Sequence, residues 1–481
     1  MSLATVILAA GLGTRMKSST PKVLHTLLGE PLVSYVLNSL LPLGASQNIL
    51  VIGPHSVSIR DHLQEHPVTY AVQEEPRGTG DALKAGLKVL RETEGTVLVL
   101  NGDAPLVTPE TLTRFLDLHR ASGDSISLLT FNASNPFSYG RILRISGQVA
   151  AIVEERDATE EQKRIREVNS GVYAFERPAL RLLEDISENP SKGEYYLTDV
   201  VGLAAKRGYG VGAHLLGDEI EFTGINTRED LAAAGEHLRD RIVRVWMEKG
   251  VTFVDRKSAY VHPQVTIGPD TVIYPGVFLE GKTSVGRGCT IYPQVRIIDS
   301  ILGDHVQIKD CTVIESSTVN DRAVIGPFAH LRPHCVIGPA SKIGNFVELK
   351  KSVIGRGTKA SHLSYLGDTE IGEDVNIGAG TITCNYDGKG KYKTVIEDGA
   401  FIGSDTQLVA PVTIGKGAYI GAGSTITNNV PALSLSLSRV KQKIIDGWAL
   451  RRGSRRSGHG TPARDNPAEA KREDTRGKKE K

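Results

Sequence analysis

Between Thr266 and about Thr427 an aliphatic side chain returns every six residues, a period that neither an α-helix, at roughly 3.6, nor a half-buried strand, at roughly 2, can satisfy. The positions are Ile267, Ile273, Leu279, Val285, Ile291 and Ile297, then Ile325, Leu331, Ile337, Ile343 and Leu349, and finally Ile396, Ile402, Leu408, Ile414, Ile420 and Ile426. A β-solenoid fits. If each hexad is one face of a three-sided coil, its aliphatic residue points inward and stacks on its equivalents above and below. The Gly that commonly follows is expected at the corner, where a tight turn can need φ > 0. Chance spacing in an antiparallel β-domain would have to hold phase through three separate blocks.

With 481 residues the chain has room for two to four domains. A net charge of +2, with basic residues dispersed until the tail, does not suggest nucleic acid as a main partner. The four cysteines, Cys289, Cys311, Cys335 and Cys384, form no CxxC pair, so zinc is not expected and reduced thiols in a cytoplasmic compartment are. The opening MSLATVILAAGLGTRM has no basic stretch before its short apolar run, so no secretory signal is expected. No apolar run approaches the roughly 18 residues of a membrane span.

Residues 3 to about 225 read as alternating strands and helices. Strands are predicted at Ala4–Ala9, Asn48–Ile52 and Thr96–Leu100, each a short apolar run suited to a doubly buried parallel strand. Helices are predicted over Pro31–Leu41 and Asp81–Arg91, giving an open α/β sheet with right-handed crossovers. From Thr227 to Lys249 the chain is rich in helix formers, acidic at its start and basic at its end, with Gly250 after: one long linking helix. The expected division is 1–226, a linker over 227–250, a solenoid over 251–450 and a disordered tail over 451–481, whose composition from Gly453 is polar and charged.

The first strand runs into Leu8-Ala9-Ala10-Gly11-Leu12-Gly13-Thr14-Arg15-Met16, followed by Pro21-Lys22. A Gly-rich loop at a strand's carboxyl end lets backbone N–H groups approach a phosphate, and Arg15 and Lys22 can add charge-assisted contacts. A Rossmann dinucleotide site would want a third Gly where Met16 stands and an acid near Val51-Ile52-Gly53-Pro54; a P-loop would want GKS or GKT. Asp103, at the end of the third predicted strand, is either a magnesium ligand, since Mg²⁺ takes few protein oxygens, or a turn residue before Pro105.

These residues resemble the signature of the sugar-phosphate nucleotidylyltransferases, a Rossmann-like α/β family that joins a nucleoside triphosphate to a sugar 1-phosphate. Gln73-Glu74-Glu75-Pro76-Arg77-Gly78-Thr79-Gly80-Asp81 resembles the family's base-reading loop, and Asn101-Gly102-Asp103 its metal-binding strand end. Tyr139-Gly140-Arg141-Ile142, Glu154, Asn169-Ser170-Gly171 and the stretch from Glu194 to Asp199 resemble its contacts to an N-acetylated amino sugar. The resemblance implies UTP and UDP-sugar contacts from Leu8, Ala9, Ala10, Gly11, Lys22, Gln73, Gly78, Thr79, Asp103, Gly140, Glu154, Asn169 and Asn226. It also implies Mg²⁺ on Asp103 and Asn226, and in-line attack assisted by Arg15 and Lys22.

Between Ile382 and Ile396 the hexad phase breaks into a polar excursion, Thr383 to Lys393, of the kind that leaves a solenoid as a functional loop. Nearby lies His362, either a surface histidine or a general base, since histidine ordinarily titrates near neutrality. The run from Asn376 through Asn385-Tyr386-Asp387-Gly388 to Gly403-Ser404-Asp405-Thr406-Gln407 resembles the acetyltransferase half of the bifunctional bacterial N-acetylglucosamine-1-phosphate uridyltransferases/glucosamine-1-phosphate acetyltransferases. That family's left-handed parallel β-helix is then implied, with His362 as base. Arg332, Lys350, Tyr365 and Asn376 would hold glucosamine 1-phosphate. Ala379, Asn385, Ser404, Ala422 and Arg439 would meet acetyl-CoA, with Tyr386 shared between the two sites and Asn385 also orienting His362. A homotrimer is implied as well. Ser361, where a Gly is expected, and Asn428-Asn429-Val430-Pro431-Ala432 depart from the family pattern.

The implied enzyme acetylates glucosamine 1-phosphate from acetyl-CoA and joins the resulting N-acetylglucosamine 1-phosphate to UTP, in the cytoplasm. Two other readings are a nucleotidylyltransferase with a merely structural or effector-binding solenoid, and a non-catalytic sensor of nucleotide sugars.

Overall fold

The computed structural model describes residues 2–54, 56–64, 66–91, 95–189 and 193–450; the predicted disordered tail lies outside them. The α/β half contains β1 (Leu3–Leu8), α1 (Leu32–Leu40), β2 (Gln47–Ile52), β3 (Thr69–Val72), α2 (Thr79–Leu87), β4 (Thr96–Asn101), α3 (Pro109–Ser122) and β5 (Ile126–Asn132). It continues with β6 (Arg141–Ile145), β7 (Gln148–Val153), β8 (Glu167–Glu176), α4 (Asp199–Lys206) and β9 (Val211–Leu215). The sheet order is β9-β5-β8-β4-β1-β2-β3, with β6 and β7 attached beside β8. Alternate residues of β1 feed two cores, Leu3 and Ile7 on one face and Val6 on the other, so burial on both faces selects its apolar run.

The sheet is mixed where the sequence predicts a parallel one. β1 is parallel to β2 and β4, but β8 runs antiparallel to both β4 and β5. It enters from the β6–β7 hairpin on the same side and needs no crossover. The reversal matters for the site, because the bulge between Asn169 and Tyr173 falls at the end where β1 and β4 finish. The second helix also begins earlier than predicted, at Thr79 directly after Gly78, whose φ is 96°.

The linking helix α5 (Arg228–Glu248) opens with a capping box: Thr227 Oγ1 accepts from Asp230 N–H, and Asp230 Oδ2 accepts from Thr227 N–H at 2.8 Å. Asp230 Oδ2 also accepts from the Asn226 N–H at 2.9 Å, so the cap fixes the residue before the helix as well.

The solenoid is a left-handed parallel β-helix of hexapeptide repeats with three sheets of eleven, ten and nine strands. Its first face starts at Thr252–Phe253, its second at Tyr260–Val261 and its third at Thr266–Ile267. The stack is continuous across the apparent gap after Ile297, because Leu302, Ile308, Ile314 and Val319 fill it at 2% exposure or less. Some hexads are shortened to five there, which hides the period. Register partners are commonly 18 residues apart, as for Thr266 and Ser284, but Thr369 and Thr394 are 25 apart, the extra length forming the polar loop. Ile382 faces outward and Thr383 takes the inward place. Its Oγ1 accepts from Gly367 N–H at 2.8 Å and donates to Gly367 O at 3.1 Å, which replaces aliphatic packing.

The expected φ > 0 for Gly after the aliphatic position holds at Gly326, whose φ is 92°, but is not the rule. Gly268, Gly338, Gly378, Gly403 and Gly415 have ordinary φ, while nearby corner residues such as Asp270, Ala340 and Asp405 take positive φ instead. A Cβ on Gly268 would lie 2.6 Å from Arg287 N, and one on Gly338 2.7 Å from Arg356 N. Glycine is required because the next coil's backbone passes against it.

The stretch Asn428–Ala432 completes the last coil: Asn429 Oδ1 accepts from Thr413 N–H at 2.9 Å, and Val430 bridges Ile414 in parallel. Among the described residues, those from Ser438 belong to a separate unit, in which Val440, Ile444 and Trp448 are exposed. Among the described residues no helix is long and apolar enough to cross a membrane.

Candidate active sites

The carboxyl ends of β1 and β4 open into a cleft of about 520 Å³, the place where an open α/β sheet ordinarily binds ligands. Leu8, Ala9, Ala10, Gly11, Lys22, Gln73, Gly78 and Thr79 line it. A second compartment of about 490 Å³ adjoins, lined by Gly140, Glu154 and Asn169. Arg15, Asn101, Asp103 and Asn226 line both, so they form the partition between the compartments. Asn101 was not among the predicted contacts; its Nδ2 packs where a Cβ on Gly171 would stand, which seats the β8 bulge.

The partition is held by charge. Lys22 Nζ contacts Asp103 Oδ2 and donates to Asn226 Oδ1 at 3.2 Å, while Arg15 Nη2 donates to the same Asn226 oxygen at 2.8 Å. Two hard oxygens, from Asp103 and Asn226, therefore converge on one cation position, a donor set that fits Mg²⁺ with its preference for few protein oxygens. Among the described residues no group of three or more His, Cys, Asp or Glu could hold a metal ion. In the first compartment Gln73 is 5% exposed and its Nε2 donates to Gly78 O at 3.1 Å and Asp81 Oδ2 at 2.8 Å, which fixes the orientation of its carbonyl. In the second, Thr198 Oγ1 donates to Glu154 Oε1 at 2.9 Å, and Asn169 Nδ2 donates to the Tyr173 hydroxyl at 2.7 Å.

In the solenoid, His362 ends a strand of the first face, at the corner leading to the second. Its Nδ1 lies 2.6 Å from Asn345 Oδ1, its register partner one coil away. The ring's hydrogen-bond partner is Asn345, while Asn385 was the one expected. Asn385 is turned to Asp368 Oδ2 at 2.5 Å and the Tyr365 hydroxyl at 3.5 Å. The signal that could have found Asn345 is its place 17 residues before His362, one coil at the shortened period. Below the base the same corner carries Ala379, Ser404 and Ala422, linked coil to coil: Gly380 N–H donates to Leu363 O at 2.9 Å, Asp405 N–H to Ala379 O at 2.7 Å and Gly423 N–H to Ser404 O at 2.8 Å. At Ser361 the close approach is met from above by Gly344, where a Cβ would meet the Ser361 carbonyl.

Arg332, Lys350 and Tyr365 lie on the second face, and Arg332 Nη1 donates to Glu348 Oε1 at 3.1 Å. Asn376 lies on the first face between Lys359 and Phe401, so one chain does not bring it together with the other three. The polar loop is closed by the Tyr386–Lys391 bridge, with Tyr386 exposed and its hydroxyl donating to Gly388 O at 2.8 Å. That hairpin brings Lys391 beside Lys350, and the Lys350 ammonium holds the Lys391 pKa below the ordinary lysine range. Arg439 belongs to the separate C-terminal unit.

Three family models match the chain: the MobA-like NTP transferase domain over residues 5–171, the GMPPB C-terminal domain over 256–338 and the bacterial transferase hexapeptide (six repeats) over 393–428. The Bifunctional protein GlmU of Thermodesulfovibrio yellowstonii is 53% identical over 448 residues, covering 93% of this chain and 99% of its own length. Those of Heliobacterium modesticaldum and Syntrophotalea carbinolica are 50% and 51% identical, each over 93% of this chain and over 98% and 97% of their own. An NTP transferase domain and hexapeptide transferase coils thus occur in one chain that matches these relatives almost end to end, and the chain belongs to the bifunctional GlmU family.

Proposed function

We propose that this protein makes UDP-N-acetylglucosamine in two steps, acetylating glucosamine 1-phosphate in the solenoid and uridylylating the product in the α/β half. The observation that carries the second step is the shared wall of Arg15, Asn101, Asp103 and Asn226 between two compartments. A nucleotide in the first and a sugar phosphate in the second would meet at that wall.

The sugar-phosphate oxygen attacks the α-phosphorus in line and pyrophosphate leaves, with no covalent enzyme group. Arg15 and Lys22 stabilise the charge spread over the phosphoryl oxygens, and the two compartments align the reactants. Gln73 presents its fixed carbonyl to the base, where a uracil N–H can donate. Asp103 and Asn226 would hold Mg²⁺, which supplies further neutralisation of phosphate charge.

For acetyl transfer, the Asn345 carbonyl accepts from the Nδ1–H of His362, so that in the neutral ring the lone pair lies on Nε2. His362 Nε2 takes a proton from the 2-amine as the nitrogen attacks the thioester carbonyl; the tetrahedral intermediate then expels the coenzyme A thiolate, which is protonated. Ser404 is assigned as an oxyanion donor. Ala379, Asn385, Ala422 and Arg439 are assigned to the coenzyme A path, and Arg332, Lys350, Tyr365 and Asn376 to the acceptor, with Tyr386 shared. The separation of Asn376 from the other three by a prism edge supports a site completed between chains of a homotrimer. We assign uridylylation to 1–226 and acetylation to 251–450, joined by the helix over 227–250, in a cytoplasmic enzyme.

The test is a coupled assay with glucosamine 1-phosphate, acetyl-CoA, UTP and Mg²⁺, run beside a tube lacking acetyl-CoA. UDP-N-acetylglucosamine should form only in the complete mixture. Product without acetyl-CoA, or no pyrophosphate when N-acetylglucosamine 1-phosphate is supplied directly, would defeat the reading.

A further inference from the structure

The second compartment has a wall formed by Ser138, Tyr139 and Gly140, and behind it stands a guanidinium that the reaction itself does not use. Arg141 is 1% exposed although it carries a permanent charge, a placement that proteins ordinarily tolerate only when the charge is paired. Its Nη2 contacts Glu155 Oε2 and its Nη1 contacts the carbonyl of Tyr139. The same Glu155 oxygen accepts from the Ser138 N–H at 3.2 Å, and the Arg141 guanidinium holds the Glu155 carboxyl below the usual carboxylate range. The wall is thus gripped twice from behind, at the Tyr139 carbonyl directly and at the Ser138 amide through Glu155.

The grip bears on the pocket because this wall is irregular backbone. Ser138 takes a φ of 69°, in the left-handed region that a non-glycine residue enters at a cost. On its other side the wall is tied to the opposite lining, since Asn169 N–H donates to Gly140 O at 2.9 Å. Gly140 is also closely confined, a Cβ there lying 2.6 Å from Ile152 Cγ2. The Nε of Arg141 is buried with no hydrogen-bond partner, so the side chain gives up one bond while its two terminal nitrogens serve the wall.

We propose that Arg141, acting through Tyr139 and Glu155, is a positioning residue that sets the acceptor-sugar wall and therefore the affinity for the sugar 1-phosphate. The inference rests on the assignment of the second compartment to that substrate. UTP occupies the other compartment, so its use should be spared. A side chain with only a general structural role would instead lower the active fraction, reducing kcat without moving either KM.

The test is steady-state kinetics of pyrophosphate release by the full chain, with N-acetylglucosamine 1-phosphate and UTP varied separately. The variants are Arg141→Lys, Arg141→Met, Glu155→Gln and, as a direct pocket control, Glu154→Gln. Acetyl transfer in each preparation serves as the folding control. Arg141→Met should raise KM for the sugar phosphate about tenfold with KM for UTP within about twofold. Arg141→Lys, which keeps the charge but reaches one partner at a time, should fall between it and the parent. If Arg141→Met fails to fold, Glu155→Gln, which keeps the guanidinium, still has to raise the same KM. An unmoved sugar-phosphate KM in both, or equal rises for both substrates, overturns the proposal. Should Glu154→Gln also leave that KM unmoved, the assignment of the compartment falls and the positioning role with it; a rise in Glu154→Gln alone rejects only the positioning role.

Discussion

His362 and Asn345 are register partners on adjacent coils, their side chains joined at 2.6 Å between Nδ1 and Oδ1. The bond comes from the parallel stacking of the solenoid, in which one side chain lies directly over another. A neutral amide acceptor fixes the tautomer without adding a charge. Asn345→Ala should therefore lower kcat for acetyl transfer roughly 10- to 100-fold while uridylyl transfer stays at the parental rate. Discontinuous acetyl-CoA assays on the variant and on His362→Ala would check it, and an Asn345→Ala enzyme with full activity would reject the orienting role.

Lys391 lies beside Lys350, whose ammonium depresses its pKa. Because the folded pKa lies below the ordinary lysine value, Lys391 loses its charge earlier as pH rises, which removes a positive charge beside Lys350, a proposed acceptor residue. The alkaline limb of kcat/KM for glucosamine 1-phosphate should begin below the ordinary lysine range. In Lys350→Gln the limb should move to higher pH even as the absolute value drops. A limb that stays in place in that variant would show that Lys391 does not set it.

Asp103 and Asn226, the proposed Mg²⁺ ligands, both lie in the α/β half. Chelation of divalent cations with EDTA should stop pyrophosphate release and leave acetyl transfer running. Asp103→Asn, which keeps the shape and removes the charge, should cost uridylyl transfer about 10²- to 10³-fold. Loss of acetyl transfer in the same preparation would point to misfolding instead.

Two glycines of the solenoid separate steric from conformational need. Gly338 has ordinary φ but a Cβ there would lie 2.7 Å from Arg356 N, whereas Gly399 has a φ of 64° and open space around it. Gly338→Ala should destabilise by about 3 kcal/mol, the cost of forcing adjacent coils apart. Gly399→Ala should cost about 1 kcal/mol. Thermal melts would rank them, and the opposite order would contradict the close-approach account.

How much of the molecule could be read in advance depended on how far each residue's partner lies along the chain. The helix α5 was legible to within a residue because its signals, Thr227, Asp230 and Gly250, are local. The antiparallel course of β8 was not, since nothing in its own residues distinguishes it from a parallel neighbour. Of the residues that line the cleft, Lys22 and Asp103 were picked out by motif, although 81 positions separate the two ends of their ion pair. Asn101 and Asn345 escaped because each is an ordinary polar residue that acquires its role from what lies against it.

The sequence by itself determined the solenoid, because a six-residue return of aliphatic side chains has one way to bury them all, and it singled out the first loop that lines the cleft. Only the tertiary structure decided that glycine follows the aliphatic position for the sake of the neighbouring coil's backbone. It also decided that Asn345 is the partner of the His362 ring and that four residues from three distant segments make one wall between two compartments. Periodicity is a property of a chain, whereas a hydrogen bond across coils or a shared partition depends on distances that exist only once the chain has closed upon itself.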